Sequence, residues 1–202
     1  MTGFRSIVLL RHFECEGRGY TGSGSDVPLT AEGMKAAARS AEHFKKNRPD
    51  KIFCSPLQRC RQTAAAVEEA CGLGAEIRTE ISEIDFGRWE GLSYSQIEES
   101  EPELLSAWLS DPLNSRPPGG ESLSELYGRV GAFWSECIES DRHANILLVT
   151  HGGPIRTMLS TAAGGGPAGH WAFNIERGSL SEIRIFGDGR CIINRINMEN
   201  IE

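Results

Sequence analysis

The pattern of apolar and polar positions predicts strands and helices in alternation along the chain. Short runs rich in β-branched and other apolar residues predict buried strands over 6–10, 51–54 and 145–150. Apolar residues at helical spacing predict helices over 30–46, 57–70, 122–140 and about 154–163. Thr30 is the predicted N-cap of the first helix.

Weaker patterns occupy the middle and the end of the chain. The middle is predicted to hold a short strand over 75–78, a loop over 81–91 and short helices over 93–99 and 103–110. Near the end, apolar runs over 180–186 and 191–196 flank Gly187-Asp188-Gly189, which indicates a β-hairpin. With no repeat and no low-complexity tract, the pattern predicts one continuous domain with an α/β layered fold.

The composition is that of an ordinary globular protein. Of the 202 residues, 39% are apolar and 24% are charged, and a chain of this length can bury a sizeable core. The formal charge of −7 disfavours general attraction to nucleic acid or to anionic membranes, so neither is an expected partner. Any anionic ligand must therefore be bound by a local group of donors.

The sequence predicts a cytoplasmic protein. The apolar run near the N-terminus is too short for a signal peptide or a membrane helix, and no later run is long enough to span a bilayer. The six cysteines, at positions 15, 54, 60, 71, 137 and 191, form no CxxC pair. Because a domain of this size does not need disulfides, we expect free thiols in a reducing compartment.

Polar residues with phosphate chemistry follow the three predicted buried strands. Arg11 and His12 follow the first strand, Arg59 comes soon after the second, and His151 follows the third. If the strands are parallel neighbours, these residues meet at one edge of the sheet, where α/β proteins bind ligands. Guanidinium groups bind phosphate oxygens bidentately, and a neutral imidazole can attack phosphorus. A second imidazole, if protonated, can stabilise the charge of the transition state.

Four motifs surround these residues. They are Leu10-Arg11-His12, Ser55-Pro56-Leu57-Gln58-Arg59 with Gln62-Thr63-Ala64, Glu83 with Phe86-Gly87-Arg88-Trp89-Glu90-Gly91, and Thr150-His151-Gly152-Gly153. Together they resemble the histidine phosphatase superfamily, the phosphoglycerate-mutase-like group, from about Ile7 to Ile155. The resemblance implies a three-layer α/β/α sandwich with a mostly parallel central sheet. It also implies a single histidine phosphatase domain over 1–202, with an inserted cap of helices and loops at about 93–120.

The resemblance implies roles for five residues. By this resemblance His12 is the histidine that becomes phosphorylated, and Arg11 and Arg59 bind phosphate. His151 is both catalytic and phosphate-binding, and Glu83 gives a proton to the leaving group. The family also works without a metal ion or another cofactor, and the chain has no HExxH or clustered-carboxylate motif.

Glu83 can also be considered by its own chemistry. An alkoxide leaving group needs a proton, which a carboxyl kept protonated near neutrality by apolar surroundings would supply. The apolar neighbours in sequence are Ile81, Ile84, Phe86 and Trp89. Glu80, Asp85 and Glu90 lie close by in the chain, and only the register of the motif selects Glu83.

Three positions depart from the family pattern. Phe13 stands where a glycine usually follows the nucleophilic histidine, and its ring either crowds the pocket or lines it. Cys15 replaces the usual threonine or serine. Gly17-Arg18-Gly19 occupies the stretch that often carries a phosphate-binding asparagine. The core set of catalytic residues is intact, so we expect catalysis to survive these changes.

Within the family the chain is most similar to the small phosphatases. Segments 20–30, 86–91 and 118–122 resemble the α-ribazole phosphatases of cobalamin synthesis. We therefore expect a phosphatase that acts on a small phosphorylated metabolite, with α-ribazole 5′-phosphate as the favoured substrate. Phosphoglycerate mutase activity, fructose-2,6-bisphosphatase-like activity and a non-catalytic module that binds phosphorylated ligands stay open. A homodimer, common among small α/β enzymes, also stays open.

Several other conspicuous residues have ordinary structural explanations. Surface positions are expected for Arg61, His43, His143 and His170, and core packing for Trp89 and Trp134. Trp108 and Trp171 are candidates to line a substrate cavity, although packing is favoured for them too. A flexible connection after a helix is expected for Gly164-Gly165-Gly166-Pro167. We do not assign a ligand to any of these residues from the sequence.

Overall fold

Six strands form one mixed sheet in the computed structural model, which describes residues 3–140 and 144–198. The strands are β1 (Phe4–Arg11), β2 (Lys51–Cys54), β3 (Ala75–Ile77), β4 (Ile146–Thr150), β5 (Leu180–Phe186) and β6 (Cys191–Met198). They are ordered β3-β2-β4-β1-β5-β6 across the sheet. The β3–β2, β2–β4 and β4–β1 pairs are parallel, whereas β1–β5 and β5–β6 are antiparallel. The prediction of an α/β fold with a mostly parallel sheet is confirmed.

Helices cover both faces of this sheet. They are α1 (Ala31–Lys46), α2 (Gln58–Cys71), α3 (Tyr94–Ser100), α4 (Pro102–Ser110), α5 (Leu123–Ser140) and α6 (Gly152–Ala162). Successive side chains of a strand point to opposite faces, so β4 supplies residues to two separate cores. Leu147 packs in one core with Phe44 of α1, while Leu148 packs in the other with Phe133 of α5. The predicted three layers follow from this alternation.

Local sequence signals explain how the first helices begin and end. The side chain of Thr30 accepts a hydrogen bond from the N–H of Gly33 (3.0 Å), which confirms Thr30 as the N-cap of α1. Gly72 ends α2 in the left-handed conformation (φ 61°), which only glycine adopts without strain. Between these ends, α1 and α2 pack on the sheet face that carries Leu147, through Phe44, Ala64 and Val67.

The structure differs from the predictions mainly in irregular segments. The loop predicted over 81–91 is flanked by one 3-10 turn, Thr79–Ile81, and contains another, Gly87–Trp89. The flexible connection predicted at Gly164–Pro167 is wrong beyond Gly165, because Gly166–Ala172 forms a third 3-10 helix. The predicted surface position of His143 lies outside the described residues.

The pair α3 and α4 forms its own small core away from the sheet. Ile97 and Leu105 pack with Trp89 and Trp108, and no strand residue belongs to this cluster. Ser93 caps α3 in a capping box with Gln96. None of the helices in residues 3–140 and 144–198 is long and apolar enough to cross a bilayer. All six cysteines are free thiols, as predicted.

Candidate active site

The carboxyl ends of β1, β2 and β4 bring the predicted residues together. The order β2-β4-β1 makes these strands neighbours, and the parallel ladders align their ends. Directly after β1, the N–H of His12 donates to the Thr150 carbonyl (3.0 Å). The ring centroids of His12 and His151 are therefore 5.1 Å apart, although the two residues are far apart in the sequence.

His12 is buried and has one nitrogen free to react. Its Nδ1 lies 2.7 Å from the carbonyl oxygen of Phe13. Because a carbonyl can only accept, Nδ1 carries the proton and Nε2 keeps its lone pair. Burial lowers the pKa of His12 well below its usual value, and the positive charges of Arg11 and Arg59 lower it further, against the opposing effect of the Phe13 carbonyl. The imidazole is therefore neutral at neutral pH, the state in which it can act as a nucleophile.

His151 is completely buried beside a hydroxyl and a thiol. Its Nε2 is 2.8 Å from Oγ of Ser55 and 3.3 Å from Sγ of Cys60. Burial lowers the pKa of His151 well below its usual value, and electrostatic interactions with His12 and Arg59 lower the pKa further. In the protein without an anion His151 is therefore neutral, so the protonated state considered from the sequence requires a negative charge close by.

The two arginines each keep one buried N–H group without a partner. Arg59 is fully buried, and its Nη atoms donate to the carbonyls of Ser25 (2.7 Å) and Gly22 (2.9 Å). Arg11 donates through Nη1 to the Ile175 carbonyl. Among the described residues, no hydrogen bond partner exists for Nε of either arginine. An unpaired buried donor is costly, so both guanidinium groups have hydrogen-bonding capacity that the protein itself does not use.

Phe13 is partly buried and packs against two apolar clusters. Its ring contacts both the core that contains Leu147 and a smaller cluster with Cys15 and Leu29. A Cβ added to Gly178 would lie 2.5 Å from the Phe13 ring, so the glycine makes room for the phenyl group. Cys15, the second departure from the family pattern, is buried. Its backbone pairs with that of Leu29 in an isolated antiparallel β-bridge.

Glu83 lies at the N-terminus of α6. The N–H of Gly153 donates to Oε1 (3.0 Å) and Oε2 (3.3 Å), and the N–H of Ile84 donates to Oε1 (3.0 Å). The carboxyl expected among apolar neighbours therefore also has polar partners, because the N–H groups of Gly153 in α6 and of Ile84 hold it in place. Glu90, another acidic residue close to Glu83 in the sequence, instead holds a loop: its carboxylate accepts hydrogen bonds from the N–H groups of Gly22 and Gly24.

Arg129 fixes the backbone that carries Glu83, a role that the sequence did not reveal. Its Nη1 donates to the carbonyls of Glu80 (2.7 Å) and Ser82 (2.8 Å), and its Nη2 donates to the Glu83 carbonyl (3.0 Å). Glu121 completes the arrangement as the ion-pair partner of Arg129 (2.7 Å). The signal was weak, since Arg129 lies on the polar side of an amphipathic helix.

A cavity of about 450 Å³ opens beside Glu83. Its walls are mostly aromatic and apolar, and they come from four parts of the chain: Tyr20, Glu83, Ile84, Phe86, Tyr94, Trp108, Leu109, Pro112, Leu123, Leu126, Gly153, Arg156, His170 and Trp171. Trp89 and Trp134 are core residues, as predicted, whereas Trp171 is 57% exposed and lines this cavity. The predicted surface position of His170 is also wrong, because its ring is buried and lines the cavity. Arg61 is exposed, as predicted, and His43 is partly buried.

Arg156 adds positive charge to the wall of the cavity. Its Nε donates to the Phe173 carbonyl (2.9 Å), and its guanidinium carbon lies 5.6 Å from the centre of the Trp171 ring. No motif marks Arg156 in the sequence, although it lies one turn after Gly152 in the helix that begins at the site. Among residues 3–140 and 144–198, no group of three or more His, Cys, Asp and Glu side chains could hold a metal ion.

Comparisons with known proteins agree with this geometry. A family model described as "histidine phosphatase superfamily (branch 1)" matches residues 7–199. Phosphoserine phosphatase 1 of Hydrogenobacter thermophilus is 32% identical over 196 residues, which cover 95% of this chain and 92% of that protein. A bifunctional protein of Mycobacterium tuberculosis is 31% identical over 195 residues; the match covers 95% of this chain but only 53% of that protein. The chain thus spans about half the length of this relative.

Among solved structures, the α-ribazole phosphatase of Shigella flexneri is similar over almost the whole chain. The TM-score is 0.88 at 28% sequence identity, and the match covers 96% of each chain.

Proposed function

Because this chain belongs to the histidine phosphatase superfamily, we propose that it hydrolyses phosphate monoesters of small molecules through a phosphohistidine on His12. The observation that carries the proposal is the free Nε2 of His12, which lies close to the positive charges of Arg11 and Arg59. No step of the proposed mechanism uses a metal ion, because Arg11 and Arg59 supply the positive charge.

The proposed first step transfers the phosphoryl group to the protein. Nε2 of His12 attacks phosphorus, the bond between phosphorus and the leaving oxygen breaks, and that oxygen takes a proton from Glu83. Arg11, Arg59 and His151 stabilise the phosphoryl oxygens as charge accumulates on them. In the second step water attacks phosphorus and gives its proton to Glu83, and the N–P bond breaks to release phosphate.

The position of the cavity beside Glu83 supports the proposal that the leaving group binds in this cavity. A leaving oxygen that receives its proton from Glu83 must lie close to this carboxyl, which is part of the cavity wall. The walls are aromatic and apolar, and they suit a flat ring better than a strongly charged group such as an amino acid. We therefore propose α-ribazole 5′-phosphate as a substrate, with segment 93–120 acting as a cap over the cavity. A cytoplasmic location and a homodimer stay predictions.

The decisive experiment is to trap the phosphorylated protein. Wild-type protein incubated in EDTA with a labelled ester should carry an acid-labile phosphate on residue 12, and His12→Ala should carry none. The His12→Ala variant should also lose kcat by several orders of magnitude. Arg61→Ala is a suitable control, because this exposed arginine lies in the same motif as Arg59. Hydrolysis by His12→Ala at the wild-type rate would refute the mechanism.

A panel of substrates separates the remaining activities. It contains α-ribazole 5′-phosphate, phosphoserine, fructose 2,6-bisphosphate, p-nitrophenyl phosphate, and 3-phosphoglycerate with a bisphosphate primer. We expect the highest kcat/KM for α-ribazole 5′-phosphate and release of inorganic phosphate. Transfer of the phosphate back to phosphoglycerate would indicate a mutase, and binding with no turnover of any ester would indicate a non-catalytic module.

A further inference from the structure

One ring nitrogen of His170 makes a hydrogen bond, and the other has no hydrogen-bond partner among the described residues. The residue lies in the 3-10 helix Gly166–Ala172, is 2% exposed, and contributes to the wall of the cavity beside Glu83. Its Nδ1 is 3.3 Å from the hydroxyl of Tyr127. No described residue makes a hydrogen bond with Nε2, and this atom is not among the buried polar atoms closed off from solvent.

The neighbours of Tyr127 determine which nitrogen of His170 carries the proton. The Tyr127 hydroxyl donates its only proton to the carbonyl of Gly166 (3.1 Å). Its oxygen is then an acceptor, so Nδ1 of His170 donates to it and Nε2 keeps a lone pair. His170, which lines a cavity with mostly aromatic and apolar walls, therefore has a ring nitrogen with an unused lone pair.

We propose that His170 is a substrate-binding residue, whose Nε2 accepts a hydrogen bond from an O–H or N–H group of the leaving group. The inference rests on the phosphatase function proposed above, and it narrows the substrate class. The cavity would take a leaving group that combines a flat ring, held against Trp108 and Trp171, with a hydrogen-bond donor such as a sugar hydroxyl.

The charge state of His170 agrees with an acceptor. Burial lowers the pKa of His170 to about 4, and the nearby positive charge of Arg156 contributes to this lowering. At neutral pH the ring is therefore uncharged and Nε2 is not protonated. The other acceptors in the wall are the carboxylate of Glu83 and the hydroxyl oxygens of Tyr20 and Tyr94, whereas Arg156 can only donate.

Two substitutions separate this role from a purely structural one. His170→Asn keeps an amide near the position of Nδ1, so it can preserve the bond to Tyr127 but not the acceptor. His170→Gln places its amide near the position of Nε2, so it can preserve the acceptor but not that bond. The test substrates are adenosine 5′-monophosphate and its 2′,3′-dideoxy analogue, which share a flat base and differ only in hydroxyls. p-Nitrophenyl phosphate, which has a ring but no donor, is the reference ester.

We expect wild-type protein to prefer the hydroxylated nucleotide by about tenfold or more in kcat/KM, because a site with an unpaired acceptor rejects the analogue. His170→Asn should abolish the preference and His170→Gln should retain most of it, with kcat/KM for p-nitrophenyl phosphate as the reference value for each protein. No preference in the wild type, or a preference kept by His170→Asn and lost by His170→Gln, would overturn the inference. Failure of the wild type to hydrolyse p-nitrophenyl phosphate would instead reject the phosphatase function, and this inference with it.

Discussion

The Gly153→Ala substitution tests whether Glu83 delivers a proton to the leaving group. The added Cβ would lie 2.2 Å from Oε1 of Glu83 and 3.4 Å from Cδ2 of Leu126. Because unstrained contacts of this kind begin at about 3.4 Å, the carboxylate oxygen must move by about 1.2 Å. Such a movement breaks or lengthens the two hydrogen bonds from the N–H of Gly153.

The expected effect on activity is large and the expected effect on stability is small. A displacement of about 1 Å at a reacting group can cost about a hundredfold in rate, and general acid catalysis contributes about 10²- to 10⁴-fold. The fold should tolerate the change, because the end of the Glu83 side chain can move. Replacing a helical glycine by alanine gains about 0.5–1 kcal/mol, which offsets a lost hydrogen bond of about 0.5–1.5 kcal/mol.

The assay is a single-turnover measurement of phosphoryl transfer to the protein. Adenosine 5′-monophosphate has an alkoxide leaving group that needs a proton, whereas p-nitrophenolate leaves without one. Gly153→Ala should therefore slow transfer from the nucleotide about a hundredfold and transfer from p-nitrophenyl phosphate less than about tenfold. Gly131→Ala is the control, because its Cβ would meet nothing within 4 Å. An equal loss with both esters would refute the assignment of Glu83 as the proton donor.

Two further predictions concern stability. Acidification from about pH 6.5 to pH 4 should destabilise the protein, because the lowered pKa values of His12, His151 and His170 let the unfolded chain bind protons that the folded chain excludes. His170, with a pKa of about 4, should account for about 3 kcal/mol, and urea titrations of His170→Asn should show a smaller loss than the wild type. Gly178→Ala should cost about 1–3 kcal/mol, because its Cβ meets the Phe13 ring at a φ of +74°. Phe13→Ala in the same chain should recover part of that cost, and strictly additive unfolding energies would contradict the contact.

The strands that position the site could be predicted because their sequences contain enough local information. The runs at 6–10, 51–54 and 145–150 are short, apolar and followed by polar residues, and they correspond to β1, β2 and β4. The lateral order β2-β4-β1 could not be read from the chain, because it depends on which strands pair across long loops. The 3-10 helix Gly166–Ala172 was missed because its Gly-rich start is typical of a loop.

Only the site residues that belong to sequence motifs could be predicted. The motifs pointed to His12, Arg59 and His151, and the structure does bring these side chains to one edge of the sheet. The hydrogen bond between Gly153 and Glu83 joins residues that are 70 positions apart in the sequence. No local pattern around Glu83 could therefore predict that this carboxyl has a polar partner. The sequence places His170 at the surface, because nothing in its Gly-rich stretch indicates that this segment lines a cavity.

His12 and His151, the two histidines of the proposed mechanism, differ in what surrounds their nitrogens, and this difference suits two charge states. His12 is held through Nδ1 by the carbonyl of Phe13, which fixes one tautomer and leaves Nε2 unprotonated. His151 is instead paired through Nε2 with the hydroxyl of Ser55, which can donate to a neutral ring or accept from a protonated one. A phosphate dianion would offset the arginine charges that help to lower both pKa values. The same anion that His12 attacks would therefore favour protonation of His151, where a positive charge stabilises the transition state.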